Sequence, residues 1–67
     1  MNKRLRKLAE ECGELTQAAM KLHQSSTRKR RRLLHEEAGD VLAQIERLVK
    51  AGALKRDKLK RRVKEKV

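Results

Sequence analysis

The residues best suited to chemistry are acidic, and they occur in two short clusters that share the pattern Glu-Glu-x-Gly-acid. The first cluster spans residues 10–14 and the second spans residues 36–40. Together they hold six of the nine acidic residues of a chain whose net charge is +11. Hard divalent cations such as Mg²⁺ and Mn²⁺ prefer carboxylate oxygens as ligands. We therefore interpret the two clusters as halves of one metal site.

The spacing within each cluster separates inner carboxylates from outer ones. Two acids three residues apart share a helix face, and each cluster contains one such pair. The four inner carboxylates are the predicted metal ligands: Glu11, Glu14, Glu37 and Asp40. Glu10 and Glu36 project further round their helices, where ion pairs with neighbouring Lys or Arg are an equally good interpretation. Neither cluster contains a Glu-x-x-His motif, which argues against a di-iron carboxylate site.

The elements that must position these acids are predicted to be helices. The 67 residues include no proline and no aromatic residue, and strong helix formers dominate the composition. We expect an all-α protein with helices over about residues 3–23, 28–51 and 55–66. Residues 24–27 form the turn, Thr27 caps the second helix, and Gly52 ends it. This organisation gives a helical hairpin over residues 1–54 and a basic C-terminal helix over residues 55–67.

An antiparallel hairpin with this turn brings the acidic clusters level with each other. The residue numbers of Glu11 and Asp40 add to the same total as those of Glu14 and Glu37, as expected for facing pairs. The apolar stripe of the first helix is predicted to comprise Leu5, Leu8, Cys12, Leu15, Ala19 and Leu22, and that of the second Leu34, Val41, Ile45 and Leu48. On this assignment the carboxylates lie at the edge of the stripes and Cys12 is a small core residue.

Two helical glycines accompany the acids. Gly13 and Gly39 each cost about 1 kcal/mol relative to alanine in a helix interior. We interpret them as marking the close approach of another helix or another chain.

Size and charge limit the classes of partner. A core this small rarely supplies more than about 3–5 kcal/mol, and a single cysteine cannot form an internal disulfide. We therefore expect self-association. No apolar run approaches the ~20 residues of a membrane span, and no signal peptide is evident, so we expect a cytoplasmic protein without membrane contact. The positive charge favours polyanions, either nucleic acid or nucleotide phosphates, although a solvated basic surface would show the same composition.

Five consecutive basic residues open the second helix, Arg28-Lys29-Arg30-Arg31-Arg32. Cations at a helix N-terminus oppose the helix dipole. This arrangement indicates an anionic ligand, because N-terminal amides and arginine side chains both bind phosphate.

The acidic pattern carries a resemblance to a known family. Glu-Glu-x-x-Glu, followed after 22 residues by Glu-x-x-Asp and the continuation Asp-Val-Leu-Ala-Gln-Ile from Asp40, resembles the signature of MazG-like nucleoside triphosphate pyrophosphohydrolases, the all-α NTP pyrophosphatase superfamily. The similarity covers about residues 5–54.

The resemblance implies that hairpins from two chains complete a four-helix bundle, in a homo-oligomer that is a dimer or a tetramer. It implies Mg²⁺, or Mn²⁺, bound by the inner quartet, and hydrolysis of a nucleoside triphosphate to the monophosphate and pyrophosphate. Glu10 and Glu11 would be the catalytic acids, with Glu10 orienting water. Basic side chains would hold the substrate phosphates, and the candidates are Lys21, Arg28 and Arg31.

Three alternatives remain open from the sequence. Phosphoribosyl-ATP pyrophosphohydrolase is a relative with a similar acidic motif. A small basic helical protein could instead bind nucleic acid, although four convergent carboxylates would repel the phosphate backbone of the nucleic acid. A purely structural oligomerisation module would bind neither metal nor nucleotide.

Overall fold

A computed structural model describes residues 2–67 and shows three α-helices, with no strand among those residues. The helices are α1 (Asn2–Gln24), α2 (Arg28–Lys50) and α3 (Arg56–Lys66). The all-α prediction is confirmed, and each helix begins and ends within about one residue of its expected bounds. The helices α1 and α2 pack against each other as a hairpin, whereas α3 makes few contacts with either.

Side chains and backbone close both ends of α2 as the sequence predicts. The Arg30 amide donates a hydrogen bond of 3.1 Å to Thr27 Oγ1 at the N-terminus. At the other end Gly52 adopts a φ of 81°, which L-residues with a Cβ rarely tolerate. The amides of Gly52 and Ala53 then donate to the carbonyls of Val49 and Leu48. This is the Schellman arrangement, and it satisfies carbonyls that α2 would otherwise leave unpaired.

The turn between the helices is stabilised by a side chain from α2. Arg30 Nη1 donates hydrogen bonds to the carbonyls of Lys21, at 2.8 Å, and Ser25, at 3.3 Å. The Lys21 carbonyl, in the last turn of α1, also accepts a hydrogen bond from the Ser25 amide, and Ser25 lies just beyond the end of α1. The long arginine side chain therefore ties α2 to the end of α1 and fixes the closure of the hairpin.

The buried face of α1 differs from the predicted stripe. The buried residues of α1 are Glu11 and Ala18, and Leu8, Leu15 and Leu22 are half-buried, each three or four residues from one of those two. Cys12 and Ala19 are exposed, so the assignment of Cys12 to the core is wrong. The buried face keeps Leu8, Leu15 and Leu22 of the predicted stripe, but its centre lies about 50° round the helix from that of the stripe, half the angle between consecutive residues. As a result Glu11 lies within the buried face and not at its edge.

The chain is flat and encloses little of its apolar surface. Its principal dimensions are 38, 29 and 13 Å, and among residues 2–67 only Ala18 and Leu48 are fully buried hydrophobic residues. Leu42 and Val63 remain 62% and 60% exposed. A bidentate pair of hydrogen bonds, 2.7 and 2.9 Å long, runs from the Arg56 guanidinium to the Glu46 carboxylate and attaches α3 to α2.

None of the helices in residues 2–67 combines the length and the apolar content that crossing a membrane requires.

Candidate metal centre

Three carboxylates from the two acidic clusters converge where α1 and α2 lie side by side. One oxygen atom from each of Glu11, Glu37 and Asp40 lies within 4.8 Å of the other two. Glu11 comes from α1, whereas Glu37 and Asp40 come from α2, three residues apart on one face. The predicted level pairing of the two clusters is therefore confirmed for these three residues.

The Glu11 side chain is the most buried member of this group. The residue retains only 6% of its accessible surface. Its Oε1 atom forms an ion pair with Lys7 Nζ at 3.1 Å. The hydrogen bond with Glu11, followed by the charge of that carboxylate, raises the pKa of Lys7. Lys7 therefore supplies one positive charge to the cluster from the preceding turn of α1. Neither Glu37 nor Asp40 forms an ion pair with a cationic side chain among residues 2–67.

Glu37 shows the electrostatic cost of this arrangement most clearly. Its Oε2 atom is buried and has no hydrogen-bond partner within residues 2–67. Burial raises the pKa of Glu37, and a hydrogen bond that its protonated carboxyl shares with Glu14 raises it further. The negative charges of Glu14, Asp40 and Glu11 act in the same direction. A carboxyl group held in this environment favours either a proton or a bound cation.

The other acids of the clusters lie outside the three-carboxylate group. Glu14 is exposed and adjoins Glu37 closely enough to influence its pKa, so it lies at the edge of the cluster. Glu10 and Glu36 are exposed, and neither forms an ion pair within residues 2–67. Of the predicted quartet, the structure thus brings three carboxylates together and places the fourth beside them.

A basic cavity lies next to the acidic group, towards the turn of the hairpin. Its volume is about 480 Å³. Four of its lining residues are cationic: Lys21, Lys29, Arg30 and Arg32. Thr27, Leu33 and Glu36 complete the lining. Of the three predicted phosphate-binding residues, Lys21 lines this cavity.

The other two predicted phosphate-binding residues lie elsewhere. Arg31 donates a hydrogen bond of 2.9 Å from Nη1 to Ser26 Oγ in the turn. Arg28 is exposed and is absent from the cavity lining. The sequence indicated that the whole basic run from Arg28 to Arg32 binds an anion, but the selected candidates within it did not include Lys29, Arg30 or Arg32. The signal that could have found two of them is helical spacing, because residues 29, 32, 36 and 40 follow one face of α2 at steps of three or four.

The fold and the site define a class of protein, an all-α hairpin that presents clustered carboxylates from two facing helices. Such an arrangement is a common way to bind metal ions in helical bundles. Comparison with family models gives a match over residues 2–67 to one described as the MazG nucleotide pyrophosphohydrolase domain. The chain therefore belongs to the MazG nucleotide pyrophosphohydrolase domain family. Comparisons with curated proteins and with solved structures gave no match.

Proposed function

We propose that this protein hydrolyses a nucleoside triphosphate to the monophosphate and pyrophosphate, using Mg²⁺ or Mn²⁺. The observation that carries the proposal is the group of Glu11, Glu37 and Asp40 oxygens within 4.8 Å of one another, in a chain of this family. Phosphoribosyl-ATP is the alternative substrate within the same class, because its hydrolysis also releases pyrophosphate.

The residues present fit a hard divalent cation. Mg²⁺ binds oxygen ligands at about 2.0–2.1 Å, so two of its ligands lie at most about 4 Å apart. The three carboxylate oxygens all lie within 4.8 Å of one another, so small side-chain movements would bring them to one ion. The unpartnered Oε2 of Glu37 offers a buried oxygen without a competing donor. Glu11, Glu37 and Asp40 would hold the ion, with Glu14 beside them. A bound ion would supply charge stabilisation at the phosphates and lower the pKa of a bound water.

An exposed acid next to a proposed ligand in the sequence suits proton transfer. Glu10 is exposed and precedes the buried ligand Glu11, so its carboxylate is free to accept a proton from water. In the proposed reaction the water oxygen bonds to the α-phosphorus while the bond from that phosphorus to the bridging oxygen breaks. The electron pair leaves with pyrophosphate, and the water proton passes to a carboxylate. We assign Glu10 and Glu11 the catalytic roles on this basis.

We also propose that the active form is a homo-oligomer, a dimer or a tetramer that completes a four-helix bundle. The hairpin leaves Leu5, Met20 and Leu42 about half exposed or more, and compact domains bury such surface between packed layers. A second copy packed on the hairpin would cover it. Light scattering combined with size-exclusion chromatography measures the state directly, and a monomer at all concentrations would contradict this part of the proposal.

The activity is tested with a panel of NTPs, dNTPs and phosphoribosyl-ATP in the presence of Mg²⁺, reading pyrophosphate and orthophosphate separately. We expect pyrophosphate alone, and no turnover by the Glu37→Gln/Asp40→Asn double variant. Asp57→Asn/Glu65→Gln, on α3 and away from the cluster, removes the same number of charges and should remain active. Release of orthophosphate, or equal activity in the double variant and the wild type, would refute the proposed reaction.

A binding experiment separates this proposal from the nucleic-acid and oligomerisation alternatives. Divalent cations should raise the melting temperature of the wild type and leave that of the double variant unchanged. No cation effect, together with tight and salt-sensitive binding of DNA or RNA, would instead support a nucleic-acid-binding protein. A lack of both effects would support a structural module.

A further inference from the structure

A groove between α2 and α3 lies on a different side of α2 from the carboxylates. Its volume is about 790 Å³. Two residues from α2 and two from α3 form its apolar lining: Leu42, Ile45, Leu59 and Val63. On α2, Leu42 follows Asp40 by two residues, so at about 100° per residue the two side chains leave nearly opposite sides of the helix. The groove is therefore separate from the candidate metal centre.

The contacts between α2 and α3 leave the apolar lining of this groove open. Arg56 and Glu46 both line the groove, and their bidentate hydrogen bonds connect the two helices. Beyond this pair, α3 makes few contacts with the hairpin. Leu42 on one side of the groove and Val63 on the other consequently remain largely exposed. A contiguous apolar surface with a polar border is typical of a site that binds another macromolecule.

The border of the groove is cationic. Lys60, Arg61 and Lys64 line it, and within residues 2–67 none of the three forms an ion pair or a side-chain hydrogen bond. The acid of the lining, Glu46, is neutralised by Arg56. The groove therefore combines an apolar lining with three positive charges that are available to a partner.

An amphipathic helix with acidic residues beside its apolar face matches both properties. Such a helix places apolar side chains at helical spacing into a hydrophobic groove, and its carboxylates would meet the cations of the border. A second copy of this chain is a poorer electrostatic match, because each of its three helices carries more Lys and Arg than Asp and Glu. A nucleic acid would match the cations but would leave the apolar lining uncovered.

We propose that the groove between α2 and α3 is a docking site for an acidic amphipathic helix of another protein. Ile45, Leu59 and Val63 receive its apolar side chains, and Lys60 and Lys64 pair with its carboxylates. The docking site does not depend on the hydrolysis proposed above, because it faces away from the carboxylate group.

The first test uses the full chain and a fluorescently labelled synthetic peptide as the probe. The peptide has about 20 residues, because shorter helices are marginal in water, with leucines at helical spacing on one face and glutamates beside them. Its control is a scrambled peptide of the same composition, which has the same charge but no apolar face. Fluorescence anisotropy should show binding of the amphipathic peptide that is at least about tenfold tighter. Equal affinities would overturn the proposal, because they would show only an attraction between opposite charges.

A charge reversal tests the cationic border. Lys60→Glu/Lys64→Glu should weaken binding of the acidic peptide at least about tenfold. A peptide with lysines in place of the glutamates should bind this variant better than it binds the wild type. Lys58→Glu/Lys66→Glu makes the same change of charge on the side of α3 away from the groove and should weaken binding by less than about threefold. Equal losses in the two double variants would overturn the proposal.

A neutral substitution tests the apolar lining and the identity of the occupant. Val63→Gln should weaken binding of the acidic peptide by about fivefold, because an apolar contact is lost without a change of charge. Val63 is exposed, so the variant should keep the melting temperature of the wild type. An unchanged affinity would overturn the proposal. A changed oligomeric state of this variant in light scattering would also overturn it, because a second copy would then occupy the groove.

Discussion

Replacing the two helical glycines beside the acidic clusters tests the packing of the hairpin. A Cβ placed on Gly13 or Gly39 would meet no heavy atom within 4 Å, apart from the backbone of its own helix and its chain neighbours. In the part of the chain that the structure describes, residues 2–67, no other helix therefore approaches either glycine, contrary to one of the interpretations drawn from the sequence. Alanine would gain helix propensity at both positions without a clash.

The size of the effect follows from propensity alone. Glycine is about 0.8–1.0 kcal/mol less favourable than alanine in a helix interior. Because a Cβ at either position has no neighbour to disturb, the two substitutions should add, to about 1.6–2 kcal/mol. For a domain of 60–100 residues, 1 kcal/mol shifts the melting temperature by about 4–8 °C. Gly13→Ala/Gly39→Ala should therefore melt about 6–16 °C higher than the wild type.

Thermal unfolding followed by circular dichroism at several protein concentrations provides the measurement. Gly52→Ala is the matched control, because Gly52 has a φ of 81° and alanine there should lower the melting temperature. A lower melting temperature for Gly13→Ala or Gly39→Ala would refute the reasoning from the single chain. Combined with a loss of oligomer in light scattering, it would instead indicate that a second chain packs against that glycine.

Three further predictions concern charged groups. Because the pKa of Glu37 is raised in the folded state, its ionisation destabilises the cation-free protein as pH rises through that pKa. Glu37→Gln should therefore be more stable than the wild type at neutral pH and should no longer be stabilised by Mg²⁺. A Glu37→Gln variant less stable than the wild type in the absence of cations would contradict this. Arg56 lowers the pKa of Glu46 below its ordinary value of 4.5, so the contact holding α3 is present above that value and is lost as pH falls through the lowered pKa. The protection factors of the α3 amides, which are corrected for the pH dependence of intrinsic exchange, should fall at low pH in the wild type and be low at all pH values in Glu46→Gln. Equal protection in both would show that other contacts hold α3. Lys7→Gln removes the cation bound to Glu11 and should modestly strengthen Mg²⁺ binding by calorimetry, whereas weaker binding would show that Lys7 positions that carboxylate.

The helices, their ends and the pairing of the acidic clusters were predictable from the sequence because local rules determine them. Thr27 and Gly52 act through backbone chemistry within a few residues, and a short turn between two long helices leaves antiparallel packing as the simple solution. Once the turn lies at residues 24–27, counting residues back along α1 and forward along α2 places Glu11 opposite Asp40. The family match over residues 2–67 agrees with the motif that this pairing brings together.

Tertiary structure decided which side of each helix is buried and which cations meet. The rotation of α1 about its own axis buries Glu11 and exposes Cys12. Two packed helices cover only a small part of each other's apolar surface, so the hydrophobicity of the residues does not determine this rotation. Which of the five consecutive basic residues of α2 line the cavity likewise depends on the direction of each side chain. Arg31 contacts the turn, whereas Arg32 lines the cavity. The sequence by itself thus determined the helices and the level at which the acids face each other. Only packing decided the orientation of α1 and the position of the basic cavity, because both depend on contacts between residues distant in the chain.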